Sequence, residues 1–282
     1  MVPEESSRHL CELLSLLDSS LSEWEGAVSD PKAGLWMVQE GSQLADDDRR
    51  IGSRYALSAQ AALGISAGID TMGCLRSSLN VTWEGQSKAR VAVHRYGQPT
   101  LVRAALENAA TAVWLLGPKD STDRIVNRLR LAWKEIHPTY GLYDRLGVTL
   151  PKTEEEMRQQ VVQALFAAGW CKPDDCKKTD WNAATVLLGS FGYEKVVEEA
   201  GEIVGMGKDV AAATWSACSG LAHGQESSTN SALARQKVAD LYPGIGLGYY
   251  SLDIGLMLGW ARVAKTMLDK AITLYRVSAG SS

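Results

Sequence analysis

Polar side chains recur at helical spacing inside a segment that is otherwise apolar. The predicted helix that begins near Pro99 is apolar on nearly every face. Within it, Arg103, Glu107 and Thr111 lie four residues apart and share one side. Because removing ions from water costs free energy, a buried Arg–Glu pair requires further partners. The stripe indicates either a structural ion pair or a ligand-binding or catalytic site, and the sequence leaves both open.

The segment 209–222 shows the same anomaly. It is rich in alanine, and Trp215, Ser219 and His223 follow one another at intervals of four residues up to its end. Histidine changes its charge near neutral pH, so His223 is a candidate for proton transfer and Ser219 a candidate nucleophile beside it. The sequence offers no orienting acid for that pair and no G-x-S-x-G turn. The alternative is a histidine at a helix end that bonds a backbone carbonyl.

These two segments form one site if they meet in the fold. There, Arg103 would hold an anionic group, Glu107 would act as acid or base or orient Arg103, and His223 would transfer a proton. Asp70 lies alone inside another apolar helix, where it would either pair with Arg103 across the bundle or join Glu107 around a substrate. The remaining predicted substrate contacts on these helices are Thr111, Trp215 and Ser219.

Hydrophobic periodicity predicts the elements that position these residues. It is helical along most of the chain, and no stretch alternates like a strand for more than a few residues. We therefore expect a single all-α domain over residues 1–282, a helical bundle with long central helices and no sheet. Residues 1–47 would form an N-terminal helix and loop that pack on the bundle or extend it. The predicted features are a first helix ending before Asp30-Pro31, a second from about Asp48 to Leu79, a loop over 80–98, a helix from Pro99 to Gly117, a helix from Ser121 to about Ile136 with a break or kink at His137-Pro138, a capping box at Thr153 and Glu156, shorter helices at 180–190, 193–204 and 208–222, and a last long helix after Pro243-Gly244.

Two further features of the predicted helices concern packing. Gly64 and Gly68 lie on one face of the second helix, and Gly255 and Gly259 lie on one face of the last, which favours closely approaching neighbours over a ligand cavity. The first helix carries a narrow apolar seam that packs either on its own chain or on a second copy. The seam consists of Leu10, Leu14, Leu17, Leu21, Trp24 and Val28.

Composition limits the partners and the compartment. The 282 residues carry 29 basic and 33 acidic side chains, a net charge of −4, which argues against a dedicated nucleic-acid binder. Five cysteines without a framework spacing indicate free thiols in a reducing compartment. The N-terminus lacks a signal-peptide pattern, and Asp253 inside the apolar stretch 244–261 favours a core helix over a membrane span. We expect a cytoplasmic protein without membrane contact.

Neither a metal nor a cofactor is predicted. The chain contains no Glu-x-x-His or H-E-x-x-H pattern and no Gly-rich phosphate loop. Asp46, Asp47 and Asp48 are similar to acidic metal–diphosphate motifs, but they lie at a helix start, where acidic residues are expected in any case.

An ordered set of motifs gives a family resemblance. The run LVRAALENAATAVWLLGP contains an R-x-x-x-E pattern, Arg124 and Arg128 follow it, and SGLAHG closes the set at 219–224. Over residues 100–225 the chain thereby resembles poorly characterised bacterial all-α proteins of the HEPN-like type. The resemblance implies a helical fold and adds Arg124 and Arg128 to the predicted substrate-binding residues. Active HEPN ribonucleases use an arginine and a histidine on one helix, for which Arg130 and His137 are the candidates here.

Three classes of function stay open on these observations. The first is a protein that binds or converts a small organic molecule in a polar pocket between Trp-rich helices, such as an enzyme of specialised metabolism. The second is a HEPN-like RNA-cleaving or defence protein that uses Arg130 and His137. The third is a non-catalytic module that forms a homo-oligomer through the seam of the N-terminal helix.

Overall fold

A computed structural model describes residues 4–28, 36–84, 88–170, 180–189, 191–242 and 245–280. Helices dominate this part of the chain. They are α1 (Glu4–Val28), α2 (Gln43–Ile51), a 3-10 turn (Ser53–Tyr55), α3 (Leu57–Ser78), α4 (Gly97–Leu116), α5 (Ser121–Arg145), α6 (Glu154–Ala167), α7 (Trp181–Gly189), α8 (Tyr193–Val204), α9 (Lys208–Ala222), α10 (Glu226–Ala232) and α11 (Ile254–Ala279). The strands are β1 (Val81–Glu84), β2 (Lys88–Val91), β3 (Leu233–Tyr242) and β4 (Ile245–Leu252). The largely all-α class is thus confirmed.

Two antiparallel hairpins show that the expectation of no sheet was wrong. Strand β1 pairs with β2, and β3 pairs with β4, so each sheet of the described chain has two strands. The first hairpin lies in the segment predicted as a loop, because strands of four residues are too short to show a period. The second occupies the start of the predicted last helix. That helix begins only at Ile254, and Asp253 caps it by accepting a hydrogen bond from the backbone N–H of Leu256 (2.8 Å).

Helix α4 lies at the centre of the bundle, in contact with α3, α5, α8, α9 and α11. Its contact with α3 depends on Gly64, where a Cβ atom would lie 2.9 Å from the carbonyl oxygen of Asn108, too close for any larger residue. At Gly68 a Cβ atom would lie 2.7 Å from the Leu268 side chain of α11.

The prediction of close packing is confirmed at Gly64 and Gly68 and also at Gly255, where a Cβ atom would lie 2.7 Å from the ring of His9. It is wrong at Gly259, around which nothing from another element of the described chain lies within 4 Å.

The single helix predicted from Asp48 to Leu79 was wrong, since the chain breaks it into α2 and α3. At the break Gly52 adopts a φ of +77°, a left-handed conformation that glycine adopts without steric cost. The Asp48 carboxylate then accepts hydrogen bonds from the backbone N–H groups of Leu57 (2.6 Å) and Ser58 (3.1 Å). These bonds satisfy donors that the first turn of α3 leaves unpaired.

The three consecutive aspartates that resembled a metal motif bind three different partners. Asp46 pairs with Arg49 at the surface (2.7 Å), and Asp48 caps α3 as described. Asp47 is buried and pairs with Arg124 of α5, with 2.6 Å between Oδ2 and Nε. Each carboxylate therefore has a structural role of its own.

Helix α5 continues to Arg145 with Pro138 inside it, so of the predicted break or kink at His137-Pro138 the break does not occur. Two hydrogen bonds hold the chain helical beyond the proline. The Thr139 hydroxyl donates to the carbonyl of Glu135 (2.7 Å), and the Tyr140 hydroxyl donates to the carbonyl of Lys152 (2.5 Å), ahead of α6. The capping box at the start of α6 is confirmed. No helix within the described residues has the length and apolarity needed to cross a membrane.

The seam of α1 is partly covered by the chain itself. Leu17 and Trp24 are buried where α1 packs on α3 and α11, and the indole of Trp24 donates to Asp269 of α11 (2.9 Å). Leu10, Leu14 and Leu21 are half-buried, and the side chain of Val28 lies outside the described residues. The buried part of the seam packs on its own core, as the intrachain alternative predicts.

We predict that Leu17→Glu destabilises the monomer rather than separating an oligomer. A carboxylate at this fully buried position has no partner, so the free energy of unfolding should fall by about 3 kcal/mol or more. Urea denaturation followed by circular dichroism measures this change. Ser15→Glu, at an exposed position of the same helix, is the matched control and should change it little. A folded Leu17→Glu monomer of wild-type stability would contradict the assignment.

We predict that Asp47→Asn lowers the free energy of unfolding by about 3–5 kcal/mol, because it leaves Arg124 buried without its counter-charge. The control is Asp46→Asn, which removes a neighbouring carboxylate with an exposed partner and should cost about 0.5 kcal/mol or less. Equal losses in the two variants would show that the buried pair does not stabilise the fold.

Candidate functional site

Four of the predicted site residues come together where α4 packs against α9. Arg103 and Glu107 of α4 form an ion pair, with 3.4 Å between Nη2 and Oε2. The Nη1 atom of Arg103 lies 3.5 Å from Nε2 of His223, the residue that follows α9. The indole N–H of Trp215 donates to Oε2 of Glu107 at 2.9 Å. We call these four residues the Arg103 cluster; they confirm that the two anomalous helices meet.

Trp215 supports the arginine from a second direction. The guanidinium carbon of Arg103 lies 5.6 Å from the centre of the Trp215 ring, within the range of a cation–π interaction. Glu107 therefore contacts both the cation and the ring that supports it. One carboxylate and one indole together fix the orientation of the Arg103 guanidinium.

The cluster is neither buried nor complete in its hydrogen bonds. The side chains of Arg103 and Glu107 are 26% and 22% exposed, and His223 lies at the surface. Among the described residues, the buried Nε of Arg103 has no hydrogen-bond partner. A guanidinium carries five N–H donors, and those of Arg103 are only partly used. The arrangement differs from a structural ion pair, whose groups are fully matched.

The contact between Arg103 and His223 constrains the histidine. Arginine has donors only, so a hydrogen bond across this 3.5 Å contact requires Nε2 of His223 to accept and the ring proton to lie on Nδ1. The backbone N–H of His223 bonds the carbonyl of Ser219 (3.1 Å) and closes α9, which leaves the ring available to the cluster. The alternative, a histidine that bonds a backbone carbonyl at the helix end, therefore holds for the backbone N–H of His223 and not for its ring.

Thr111, Ser219 and Cys218 lie near the Arg103 cluster but add no further reactive group to it. The Thr111 hydroxyl donates to the carbonyl of Glu107 (2.8 Å), one turn earlier in α4. Ser219 is half-buried, and no hydrogen bond within the described chain joins its hydroxyl to the ring of His223. The predicted nucleophile–base pair is thus not formed. Burial raises the pKa of the Cys218 thiol to about 12 although Arg103 acts in the opposite direction, so this thiol stays neutral.

Asp70 does not join the cluster. It lies on an exposed face of α3, whereas Gly64 and Gly68 mark the face that packs on α4. The described partners of Arg103 are Glu107, His223 and Trp215. The interpretation of Asp70 as its partner was therefore wrong, because apolar surroundings in sequence do not fix which face of a helix is covered.

Arg124 was predicted to contact substrate, and the structure corrects this. Its side chain is 3% exposed and that of Asp47 is 1% exposed. Besides the two oxygens of Asp47, its guanidinium bonds the carbonyls of Pro118 (2.9 Å) and Lys119 (2.8 Å). Arg124 thereby ties α2 to the start of α5, and its donors are taken up by the fold. Arg128 lines a separate cavity beside α5.

The two residues suggested for RNA cleavage engage separate partners. Arg130 is half-buried and donates to the carbonyl of Leu187 in α7 (3.0 Å). His137 is exposed and lies 3.4 Å from a carboxylate oxygen of Glu154 in α6. They lie seven residues apart on α5, a rise of about 10 Å, and each contacts a different helix.

Two cavities of the described chain lie outside the Arg103 cluster. One, of about 730 Å³, is lined by the 91–97 segment and by Tyr250, Ser251 and Leu252. It lies at the amino-terminal end of α4, about 9 Å along the helix axis from Arg103. The other, of about 200 Å³, lies beside α5. The cluster itself lines neither, so its accessibility comes from its partly exposed side chains.

Comparisons with family models, curated proteins and solved structures give no match to this chain. The HEPN-like resemblance therefore stays a prediction.

We predict that Glu107→Gln lowers the free energy of unfolding by about 1 kcal/mol or less. Solvent screens this pair, since both side chains are partly exposed, and the glutamine oxygen still accepts from Trp215. Urea denaturation of Glu107→Gln and of Asp47→Asn compares the loss of unfolding free energy at a partly exposed pair with the loss at a buried pair. A loss as large as that of Asp47→Asn would show that Arg103 and Glu107 form a structural pair only.

Proposed function

We propose that this protein binds a small organic anion at the Arg103 cluster and that His223 is the group able to transfer a proton to or from the bound molecule. The observation that carries the proposal is the guanidinium of Arg103, which is partly exposed and whose buried Nε has no partner among the described residues. Charge-assisted hydrogen bonds to a carboxylate or phosphate use donors of this kind.

The surroundings of Arg103 favour a monoanion. Glu107 already compensates part of its charge, so a ligand with several negative charges would meet a like charge at short range. Trp215 and His223 offer flat rings beside the guanidinium, and such rings pack well on a planar or aromatic ligand body.

The roles within the cluster differ. Arg103 is the residue that would contact the anionic group, while Glu107 and Trp215 are positioning residues because they act through the guanidinium. His223 has its Nε2 near Arg103 and its Nδ1–H directed elsewhere, so a ligand held by Arg103 lies within reach of an imidazole. This arrangement also serves simple binding, for which no reaction is needed.

We predict that benzoate shifts the indole N–H resonance of Trp215 in a ¹H–¹⁵N spectrum, because that N–H bonds the carboxylate paired with Arg103. Trp215→Phe identifies the resonance by its loss. Benzamide, the neutral analogue, should leave it unchanged. Arg103→Gln should weaken benzoate binding by about 10-fold or more, and His223→Ala by a smaller factor.

Arg262→Gln is the matched control. It removes an arginine that lies elsewhere on the surface and pairs with Glu12, with 3.0 Å between Nη2 and Oε2. It should bind benzoate as the unmodified protein does. Three results would contradict the proposal: no shift with benzoate, an equal shift with benzamide, or unchanged affinity in Arg103→Gln.

A further inference from the structure

A second cavity holds polar groups that the Arg103 cluster does not use. Its volume is about 200 Å³, and it lies between the 3-10 turn after α2, the middle of α5 and the start of α6. Its polar lining comes from Arg54, Tyr55, Arg128, Glu135, Thr139 and Tyr140, and its apolar lining from Ala132, Ile136 and Met157.

Two of these polar groups are buried without partners. Arg128 is 8% exposed, and within the described chain its Nε and Nη1 atoms have no hydrogen-bond partner. Tyr55 is 7% exposed, and its hydroxyl has none either. Burial lowers the pKa of Arg128 and raises that of Tyr55, which reflects the missing solvation of both groups. Unsatisfied buried donors are rare in folded proteins, because each one costs free energy.

We propose that this cavity binds a small oxyanion, a carboxylate or phosphate group, between the guanidinium of Arg128 and the hydroxyl of Tyr55. The Nε and Nη1 atoms of Arg128 are donors only, and the Tyr55 hydroxyl can donate as well. An oxyanion oxygen accepts from all of them. A bound oxyanion would thus satisfy the groups that the chain leaves unpaired.

Charge and size define the class of ligand. Arg54 and Arg128 line the cavity with two positive charges and Glu135 with one negative charge, so the lining favours a monoanion. Arg54 is held by the side-chain oxygen of Gln160 (2.9 Å). At about 200 Å³ the cavity is smaller than the range of about 300–1,000 Å³ usual for drug-sized ligands, so the anion must be small.

This site contrasts with Arg124, one turn earlier on α5. There every part of the guanidinium meets a carboxylate or carbonyl oxygen, and nothing is left for a ligand. Arg128 is buried to a similar extent but its counter-charge, Glu135, is exposed. The sequence motif that grouped the two arginines did not separate these roles, and Tyr55 had no sequence signal.

The test measures binding of inorganic phosphate and of benzoate by calorimetry in the Arg103→Gln protein, so that the Arg103 cluster does not contribute. Benzamide is the neutral control. We expect at least one of the two anions to bind and benzamide not to bind. The preferred anion distinguishes a phosphate from a carboxylate ligand.

Arg128→Met should weaken the binding of that anion by about 10-fold or more while leaving the protein at least as stable, since it removes an uncompensated buried charge. Tyr55→Phe should also weaken binding without loss of stability. If Arg128→Met does not fold, Tyr55→Phe tests the proposed site by itself. The control Arg49→Gln, which changes an exposed arginine of α2, should leave binding unchanged. Absence of binding by both anions, or unchanged affinity in the variants, would overturn the proposal.

Discussion

The close contact between α3 and α4 is the constraint on which the rest of the molecule depends. Because Gly64 lets the two backbones meet and Gly68 makes room for Leu268 of α11, α4 lies inside the bundle, in contact also with α8, α9 and α11. A helix in that position has little solvent to satisfy its polar side chains. Arg103 and Glu107 therefore find partners on the neighbouring helix α9, and those partners are Trp215 and His223.

The arginines of this protein differ in how completely their donors are matched. Arg124 meets Asp47 and two carbonyl oxygens, so its guanidinium joins α2 to α5 and is unavailable to a ligand. Arg103 and Arg128 retain buried nitrogen atoms without partners in the described chain. Burial alone does not indicate function; an incomplete hydrogen-bond set on a buried cation is what suggests a missing anion.

The two proposed sites use α4 and α5 in different ways. At the Arg103 cluster, aromatic and imidazole rings surround a partly exposed ion pair, which suits a planar anion and proton transfer. Beside Arg128 the cavity is small and its unpartnered groups are buried, which suits binding of an oxyanion without further chemistry. Either site can be lost by substitution while the other is kept, since they share no residue.

Local patterns in the sequence determined the helical class, the capping box at Thr153 and the polar stripe through Arg103, because each depends on residues within a turn or two of one another. They also marked His223. Tertiary structure alone decided where Asp70 faces, that Asp47 meets Arg124, and that the helix is interrupted at Gly52 so that Asp48 caps α3. Tertiary structure also decided the two short hairpins and the cavity beside Tyr55. The physical reason is range: helical periodicity is a property of neighbours, whereas the partner of a buried charge is set by how distant segments pack.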